Sequence, residues 1–562
     1  MAKIVLVGGI PGTKTPRAAR SLQEWVTNQD KDWVQHNLEG AVRWTVARKL
    51  EDLVVEQYNT TVLEKERVKS IATLLQLPKL ILRNLFSDTM PRLDNHLRDI
   101  ETDKDLVLVP VHFVWYHPII RDYITVVEAS ELSKGLKSHI IERIVCLIDD
   151  VHDIYSRLRG EHGLYDRTTN KLPSNEAKFG RAFFRHIRIL DWRAREISAA
   201  ESLAYQLGAA FSVLAVKHQK KVAAYCVSGR SQVYFSHPIT EARRLEASQI
   251  AENKRKADSL KVAIWDLQDK LTEHIALLQP TCVDEYRITE KSGRMMFKPR
   301  FYLRDKYKDT LWVGKDCSDD VIYDDLTPEE IQSITQQDTK IARELAKITE
   351  VFIEHQVTAR DLQLVSQASG IIVFRPRFNG NVADGVKAEI SYFLQLSKPG
   401  DNRGVLILDS KKDEELFAPR QLLEAMIVAS NEKTWNVSLD AHRVVDYMLQ
   451  LSEEALTLAR EAGESQDLDA IKKSVDGILA DLGVNKWSLG EVGMTRPLSS
   501  QYTYPERQER KQTFLTVLGG KMQPFHQRAE YASAEVIWVD GKTTDKIANE
   551  VIEKLSACHR KV

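Results

Sequence analysis

Short apolar runs recur along the chain at wide intervals, at residues 3–7, 106–114, 143–148, 212–216, 233–236, 371–374, 405–408 and 535–539. Most are unbroken rather than alternating, the pattern of strands covered on both faces. Segments with helical spacing, such as LDWRAREISAAESLAYQLG over 190–208, lie between them. Strands alternating with helices in this way predict an α/β, multidomain protein built on parallel sheets. Two such systems meet near Ser228-Gly229-Arg230, giving a first unit over 1–227 and a second over 230–412. A polar, aromatic-dotted insertion over 287–325 interrupts the second unit and reads as a lid, a subunit contact or a surface excursion. The remainder, 413–562, is expected to be helical over 414–483, loop-like over 490–511, and closed by a small α/β tail, AEVIWVDGKTTDKIANEVIEKL. Whether that tail joins an earlier sheet is left open by the pattern.

At 562 residues the chain exceeds what one core can organise, and length alone suggests roughly three or four domains. A hydrophobic content of 43% with 28% charged residues is that of a soluble globular protein. The net charge of −1 implies no global attraction to nucleic acid or anionic membrane. The apolar run at the N-terminus is too short for a signal-peptide core, and no stretch approaches membrane-spanning length. Five cysteines, Cys146, Cys226, Cys282, Cys317 and Cys558, stand far apart without a CxxC pair. That spacing argues against disulfides and structural zinc and fits a reducing, cytoplasmic setting.

Residues 4–15, IVLVGGIPGTKT, place a strand before Gly8-Gly9-Ile10-Pro11-Gly12-Thr13-Lys14-Thr15 and then a helix. Phosphate loops need this order: glycines let backbone N–H groups wrap phosphate, a Lys reaches the outer phosphates, and Ser/Thr holds magnesium. The segment resembles the phosphate loop of adenylate-kinase-like nucleotide kinases. It departs from that pattern in lacking the glycine before Lys14, and its Gly9-to-Lys14 spacing is one residue short. The resemblance implies that Gly9, Gly12, Lys14 and Thr15 bind ATP or another nucleotide with Mg2+. Asp149, after the strand at 143–148, is the candidate metal-associated acid. Arg181, Arg185, Arg188, Arg193 and Arg195 crowd a region that reads as a phosphate-binding lid. A tight turn and a helix-capping Asp149-Asp150 are the structural alternatives.

In the second unit, VYFSHPIT opens with a strand carrying Tyr234, Phe235, Ser236 and His237 near its end. Ligands of open parallel sheets sit beyond the carboxyl ends of the strands. The strand at 371–374 and the turn Asp384-Gly385-Val386-Lys387-Ala388-Glu389 are expected to meet that edge. Together these residues resemble the nucleoside 2-deoxyribosyltransferases and the related deoxynucleotide N-hydrolases. The resemblance implies a flavodoxin-like sheet following the kinase-like one. Glu389 would be the nucleophile, Asp361 the acid/base or substrate-orienting group, and Asp384 a further catalytic residue. Tyr234, Phe235, Ser236, His237 and Gly385 would bind substrate. Val386 stands where the family has Thr, and Gly370 where an Asp is common. An ordinary first-turn Glu stabilised by the helix dipole is the structural alternative for Glu389, and a surface acid the alternative for Asp361.

These readings lead to an enzyme, an N-glycosidase or deoxyribosyltransferase cleaving the base–sugar bond of a nucleoside, a nucleotide or NAD. Such cleavage needs no cofactor, and the first unit would serve as a nucleotide-binding regulator. The competing readings are a nucleoside monophosphate kinase with a sensor domain, and a non-catalytic nucleotide sensor. By analogy of architecture, a triggered antiviral effector is a further expectation. The resembled enzymes are oligomers, so a homo-oligomer is expected.

Overall fold

The computed structural model describes residues 2–159 apart from a few turn residues, 176–239, 251–283, 336–376, 384–396, 404–410 and 534–559. Short pieces between 287 and 322 are also described. The helical and loop-like expectations over 414–483 and 490–511 lie outside these residues.

The chain is α/β, with two five-stranded sheets in which every neighbouring pair is parallel. The first unit runs β1 (Lys3–Gly8), α1 (Thr15–Thr27), α2 (Lys31–Asn37), β2 (Trp44–Val46), α3 (Leu50–Thr61), α4 (Ile71–Leu74), α5 (Lys79–Glu101) and β3 (Leu106–Pro110). It continues with β4 (Val114–His117), β5 (Asp122–Thr125), α6 (Ala129–Gly135), β6 (Ile141–Ile148), α7 (Val151–Arg159), α8 (Glu176–Leu207) and β7 (Ala210–Ala215). Its sheet order is β2-β3-β1-β6-β7. The apolar run at 106–114 is split into two strands. Pro110 has no N–H to extend the ladder, and the chain re-forms at Val114 as an antiparallel hairpin with β5.

After α9 (Lys220–Ser228) the second unit contains β8 (Gln232–Ser236), α10 (Ala251–Thr272) and β9 (Ala276–Leu278). Next come β10 (Arg287–Lys291), β11 (Arg294–Lys298), β12 (Val321–Ile322), α11 (Gln336–Ser366), β13 (Gly370–Phe374), α12 (Asp384–Leu396), β14 (Gly404–Asp409), β15 (Glu535–Trp538) and α13 (Thr544–His559). The insertion thus contributes a small antiparallel sheet, β10-β11-β12. The larger sheet has the order β15-β14-β13-β8-β9, which by chain position is 2-1-3-4-5. The C-terminal strand therefore pairs with β14 as the outermost strand of this sheet, and α13 packs against α10.

The strands are unbroken in their apolar character because helices cover both faces; every residue of β3, β8 and β13 is buried. Left-handed glycines, Gly208 after α8 and Gly229 after α9, end the helices and turn the chain into β7 and β8. Gly370 starts β13 against the tail: a Cβ there would sit 3.2 Å from Leu555 of α13 and 3.4 Å from the Gly404 carbonyl oxygen. A larger side chain at this position would require Leu555 to move.

The two sheets are stitched together at β7. The Gln367 side chain accepts from Val213 N at 2.6 Å and donates to Val213 O at 2.7 Å, as a neighbouring strand would. This satisfies backbone groups on an edge strand. The Gln232 amide also donates to Ser212 Oγ across the junction. Among the described residues no helix is long and apolar enough to cross a membrane.

Candidate active site

In a doubly wound sheet the chain leaves neighbouring strands toward opposite faces at one point, and the crevice opened there receives ligands. In the second sheet that point lies between β8 and β13. Strand alternation puts Tyr234 and Ser236 on one face of β8 and Phe235 on the other. The Tyr234 hydroxyl donates to Glu389 Oε1 at 2.8 Å, and the Ser236 hydroxyl donates to Glu389 Oε2 at 2.5 Å. One carboxylate is thus gripped by two hydroxyls from alternate positions of one strand. The sequence-predicted Glu389, Tyr234 and Ser236 come together.

Phe235 does not join them. It faces the opposite core beside Phe374, with ring centroids 6.1 Å apart, and packs among Leu260, Ile264 and Leu267. Period-two geometry excludes it from any pocket that contains Tyr234. His237 is buried just past the strand end, its ring 5.8 Å from that of Phe235. Gly385 is exposed in the first turn of α12, at whose first position Asp384 stands. Val386 is buried in the main core, so the position that carries Thr in the resembled family serves packing in this chain.

Glu389 is the sixth residue of α12, not a first-turn residue. The helix dipole acts within the first turn, so it gives this carboxylate no special help to ionise. Burial dominates instead and, with repulsion from Asp361, pushes Glu389 up to about 8 against the pull of Ser236, Tyr234 and Arg360. The residue retains some exposed surface while its carboxylate end is enclosed. Burial, followed by the charges of Glu389 and Asp361, holds the Tyr234 phenol well above its ordinary value, so it acts as a neutral donor.

Asp361 lies near the end of α11, close enough to Glu389 to repel it, yet it is paired to its own neighbour. Arg360 Nε and Nη2 donate to Asp361 Oδ1 at 2.9 and 2.7 Å, and Arg360 Nη1 donates to Val283 O at 2.6 Å. A carboxylate in a guanidinium fork is favoured as the anion. The expected proton-donating role of Asp361 therefore has no geometric support, whereas an orienting role does. Arg360 was not anticipated; the adjacent Arg-Asp dipeptide was its signal in the sequence.

At the first sheet the glycine-rich segment folds tightly. Ile10, Pro11, Gly12 and Thr13 form a turn closed by Thr13 N to Ile10 O at 3.1 Å, with Gly12 at φ 100°. Pro at the second position and a left-handed Gly at the third are what a type II turn requires. The shortened loop is thereby used up in turning. Thr15 is buried with its hydroxyl 3.2 Å from that of Thr13, and Gly9 N donates to Glu196 Oε1 at 3.2 Å. Lys14 is held at φ 54°, a left-handed conformation that costs a non-glycine residue about 1–2 kcal/mol. Its ammonium is lowered from the usual lysine value by burial and by Arg157, Arg17 and Lys49 around it.

Asp149, Asp150 and Asp153 form a buried group whose donor atoms lie within 4.8 Å of one another. Carboxylates of this kind suit a magnesium ion, but protein cations already stand among them. Arg157 donates to Asp149 Oδ2 at 2.6 Å, Lys217 Nζ lies 3.3 Å from Asp149 Oδ1, and Lys217 also bonds Asp150 and Asp153. Arg157 further donates to Gly12 O at 2.9 Å. The arrangement is a closed ion-pair cluster bracing the loop, and a metal fits only if Lys217 leaves. The arginines expected to form a lid belong to one continuous helix, α8. Arg188 lies over Tyr116, Arg193 donates to Asp149 O, and Arg195 pairs with Asp191. The side chains of Arg181 and Arg185 lie outside the described residues.

No protein-family model matches this chain, and no curated protein matches it.

Proposed function

We propose that the chain is an N-glycosidase or deoxyribosyltransferase-like enzyme acting on a nucleoside, a nucleotide or NAD, with its chemistry at Glu389. The supporting observation is the Tyr234–Glu389–Ser236 arrangement at the switch point of a parallel 2-1-3-4-5 sheet, an order shared with flavodoxin-like folds. A deeply set carboxylate gripped by two hydroxyls is fixed in position, as attack on a sugar carbon demands.

The base–sugar bond breaks through a state with positive charge on the sugar ring. A carboxylate beneath the ring stabilises that charge or bonds to the anomeric carbon. As the C–N bond breaks, the base departs with the bonding electrons. A base leaving as an anion takes a proton from water, and a base that was cationic, such as nicotinamide, leaves neutral. Water or a second base then attacks the sugar carbon and frees Glu389. Tyr234 and Ser236 hold the two oxygens, and the Arg360–Asp361 pair orients the departing base. With a value of about 8, roughly a tenth of Glu389 is ionised at pH 7 in the ligand-free protein. A positively polarised sugar selects the ionised form.

The first sheet is proposed as a nucleotide-binding, regulatory unit. A kinase reading finds less support, because Asp149 and Thr15, its metal-binding candidates, are engaged within the protein. Chromatography of free base or nicotinamide after incubation with nucleosides, nucleotides and NAD, each with and without ATP, tests the proposal. Release is expected and should be lost in Glu389→Gln; undiminished release by that variant rejects the assignment.

A further inference from the structure

The chain leaves β7, the edge strand of the first sheet, through a turn closed by His218 N to Ala215 O at 3.0 Å. Lys217, inside that turn, is the lysine bonded to Asp150 and Asp153. His218 beside it is 1% exposed, and its ring spans the two units. Gln279 N, just past β9 of the second sheet, donates to His218 Nε2 at 3.1 Å. The other ring nitrogen, Nδ1, lies against Ala215, 3.1 Å from its N and 3.3 Å from its O. An N–H donates only to an unprotonated ring nitrogen, so the bond from Gln279 places the ring proton on Nδ1, facing the Ala215 carbonyl. Burial lowers His218 to about 4, so the ring is neutral near pH 7 and Nε2 remains an acceptor.

Gln279 opens a short, buried 3-10 turn, Pro280–Cys282. Cys282 N donates to Gln279 O at 3.2 Å and Val283 N to Pro280 O at 3.4 Å, so Gln279 and Val283 belong to one hydrogen-bonded unit. At its far end the Val283 carbonyl accepts from Arg360 Nη1 at 2.6 Å. Asp361, which also holds the guanidinium, is its neighbour on α11 and turns with it. Val283 belongs to a different segment, one that follows β9, and β9 pairs with β8. Its carbonyl therefore sets where the guanidinium stands relative to the strand that carries Tyr234 and Ser236. Those two hydroxyls, with Arg360 and Asp361 of α11, are the groups that act on the charge of Glu389.

We propose that His218 is a positioning residue for Glu389: through Gln279, the 3-10 turn and Val283 it holds the Arg360 guanidinium in place beside the two carboxylates, so that the edge of the first sheet orders the site in the second. The inference rests on the reading of Glu389 as the reacting group, but it is tested without any reaction.

The test compares His218→Gln with His218→Asn in the full chain, with thermal melts as the check on folding. A Gln amide reaches the Nε2 position and can accept from Gln279 N. An Asn amide reaches only the Nδ1 position and keeps the Ala215 side. Backbone amide exchange over 279–283, followed by mass spectrometry, should quicken about tenfold in His218→Asn, the worth of one hydrogen bond, and stay near the parent rate in His218→Gln. The titration of Glu389 is read from the pH dependence of urea unfolding with and without Glu389→Gln. Its midpoint should move up from about 8 in His218→Asn, because a displaced Arg360 favours the anion less, and stay in place in His218→Gln. The link is also read in reverse. Arg360→Met removes the donor to Val283 O and should quicken exchange over 279–283, whether or not His218→Asn folds. Unchanged exchange in Arg360→Met, equal behaviour of the two His218 variants, or a Glu389 midpoint indifferent to the loss of protection at 279–283 overturns the positioning role. A midpoint that moves in a protein releasing no base upholds the positioning role and rejects only the chemistry proposed at Glu389.

Discussion

Glu196 beside the first sheet and Glu389 beside the second are both enclosed carboxylates, and burial pushes each up to about 8. Their partners differ. Glu196 accepts three backbone N–H groups, from Gly9, Phe113 and Val114. Glu389 accepts two side-chain hydroxyls. Backbone donors tie a carboxylate to the path of the chain, so Glu196 joins β1 to the start of β4 and is only 1% exposed. Hydroxyl donors sit on side chains, so the grip of Tyr234 and Ser236 places the Glu389 carboxylate without tying it to the path of the backbone. A carboxylate whose end is enclosed is thus held by backbone in one sheet and by side-chain hydroxyls in the other.

The sharpest way to break this comparison is to remove each charge. Glu389→Gln should lower the rate of base release by about a thousandfold, in the range for loss of an essential acid–base or nucleophilic group, while the melting temperature holds or rises. Rates within tenfold of the parent protein would put Glu389 in the structural class. Glu196→Ala should do the reverse. It strands three buried N–H groups at roughly 1–3 kcal/mol each, so urea unfolding should show a loss of about 3 kcal/mol or more, with any folded fraction retaining its rate per molecule. A stable Glu196→Ala protein would overturn the bracing role.

The two carboxylates were not equally visible in the sequence. Glu389 followed a strand and a turn, a place where ligand-binding groups occur, and Tyr234 and Ser236 were legible with it because strands alternate. That alternation already placed Phe235 on the wrong face. Glu196 sits on the buried stripe of α8 with Leu190, Arg193, Ala200 and Leu203, and a charge on such a stripe was the available signal. The parallel sheets could be read from unbroken apolar runs. Trp44–Val46 and Ala276–Leu278 are three residues each and too short to show a period. The pairing of the C-terminal strand with β14 is set by contacts across a long stretch of chain, which no local pattern encodes. The tie between Lys217 and the three aspartates has the same origin.

A smaller effect should come from Tyr234→Phe. It removes one of the two hydroxyl donors without opening a cavity, so a loss of about tenfold is expected, the worth of one hydrogen bond to a charged group. That hydrogen bond favours the ionised carboxylate. Its loss must raise the Glu389 value further, and the rising limb of the pH–rate profile should move to higher pH. An unmoved limb would mean that Tyr234 is packing rather than a partner of the reacting charge.

The smallest change expected is a displacement of that limb by Asp361. Its negative charge is the second cause, after burial, of the raised value at Glu389. In Asp361→Asn the limb should therefore move from about 8 toward lower pH, whereas in Arg360→Met, which removes a charge favouring ionisation, it should move higher. Opposite displacements from two adjacent residues are hard to produce by general damage to the fold. Stability carries the same sign. A carboxylate raised in the folded state contributes stability that is complete below about 4.5 and lost as pH rises through about 8. Glu389→Gln removes that dependence, so its stability relative to the parent should improve steadily between pH 5 and 8 in urea titrations. Glu196→Gln should show the same pH trend with no change in the rate profile, because its carboxylate holds backbone and faces no substrate. If both variants moved the rate profile alike, the distinction between a carboxylate bound by backbone and one bound by hydroxyls would fail.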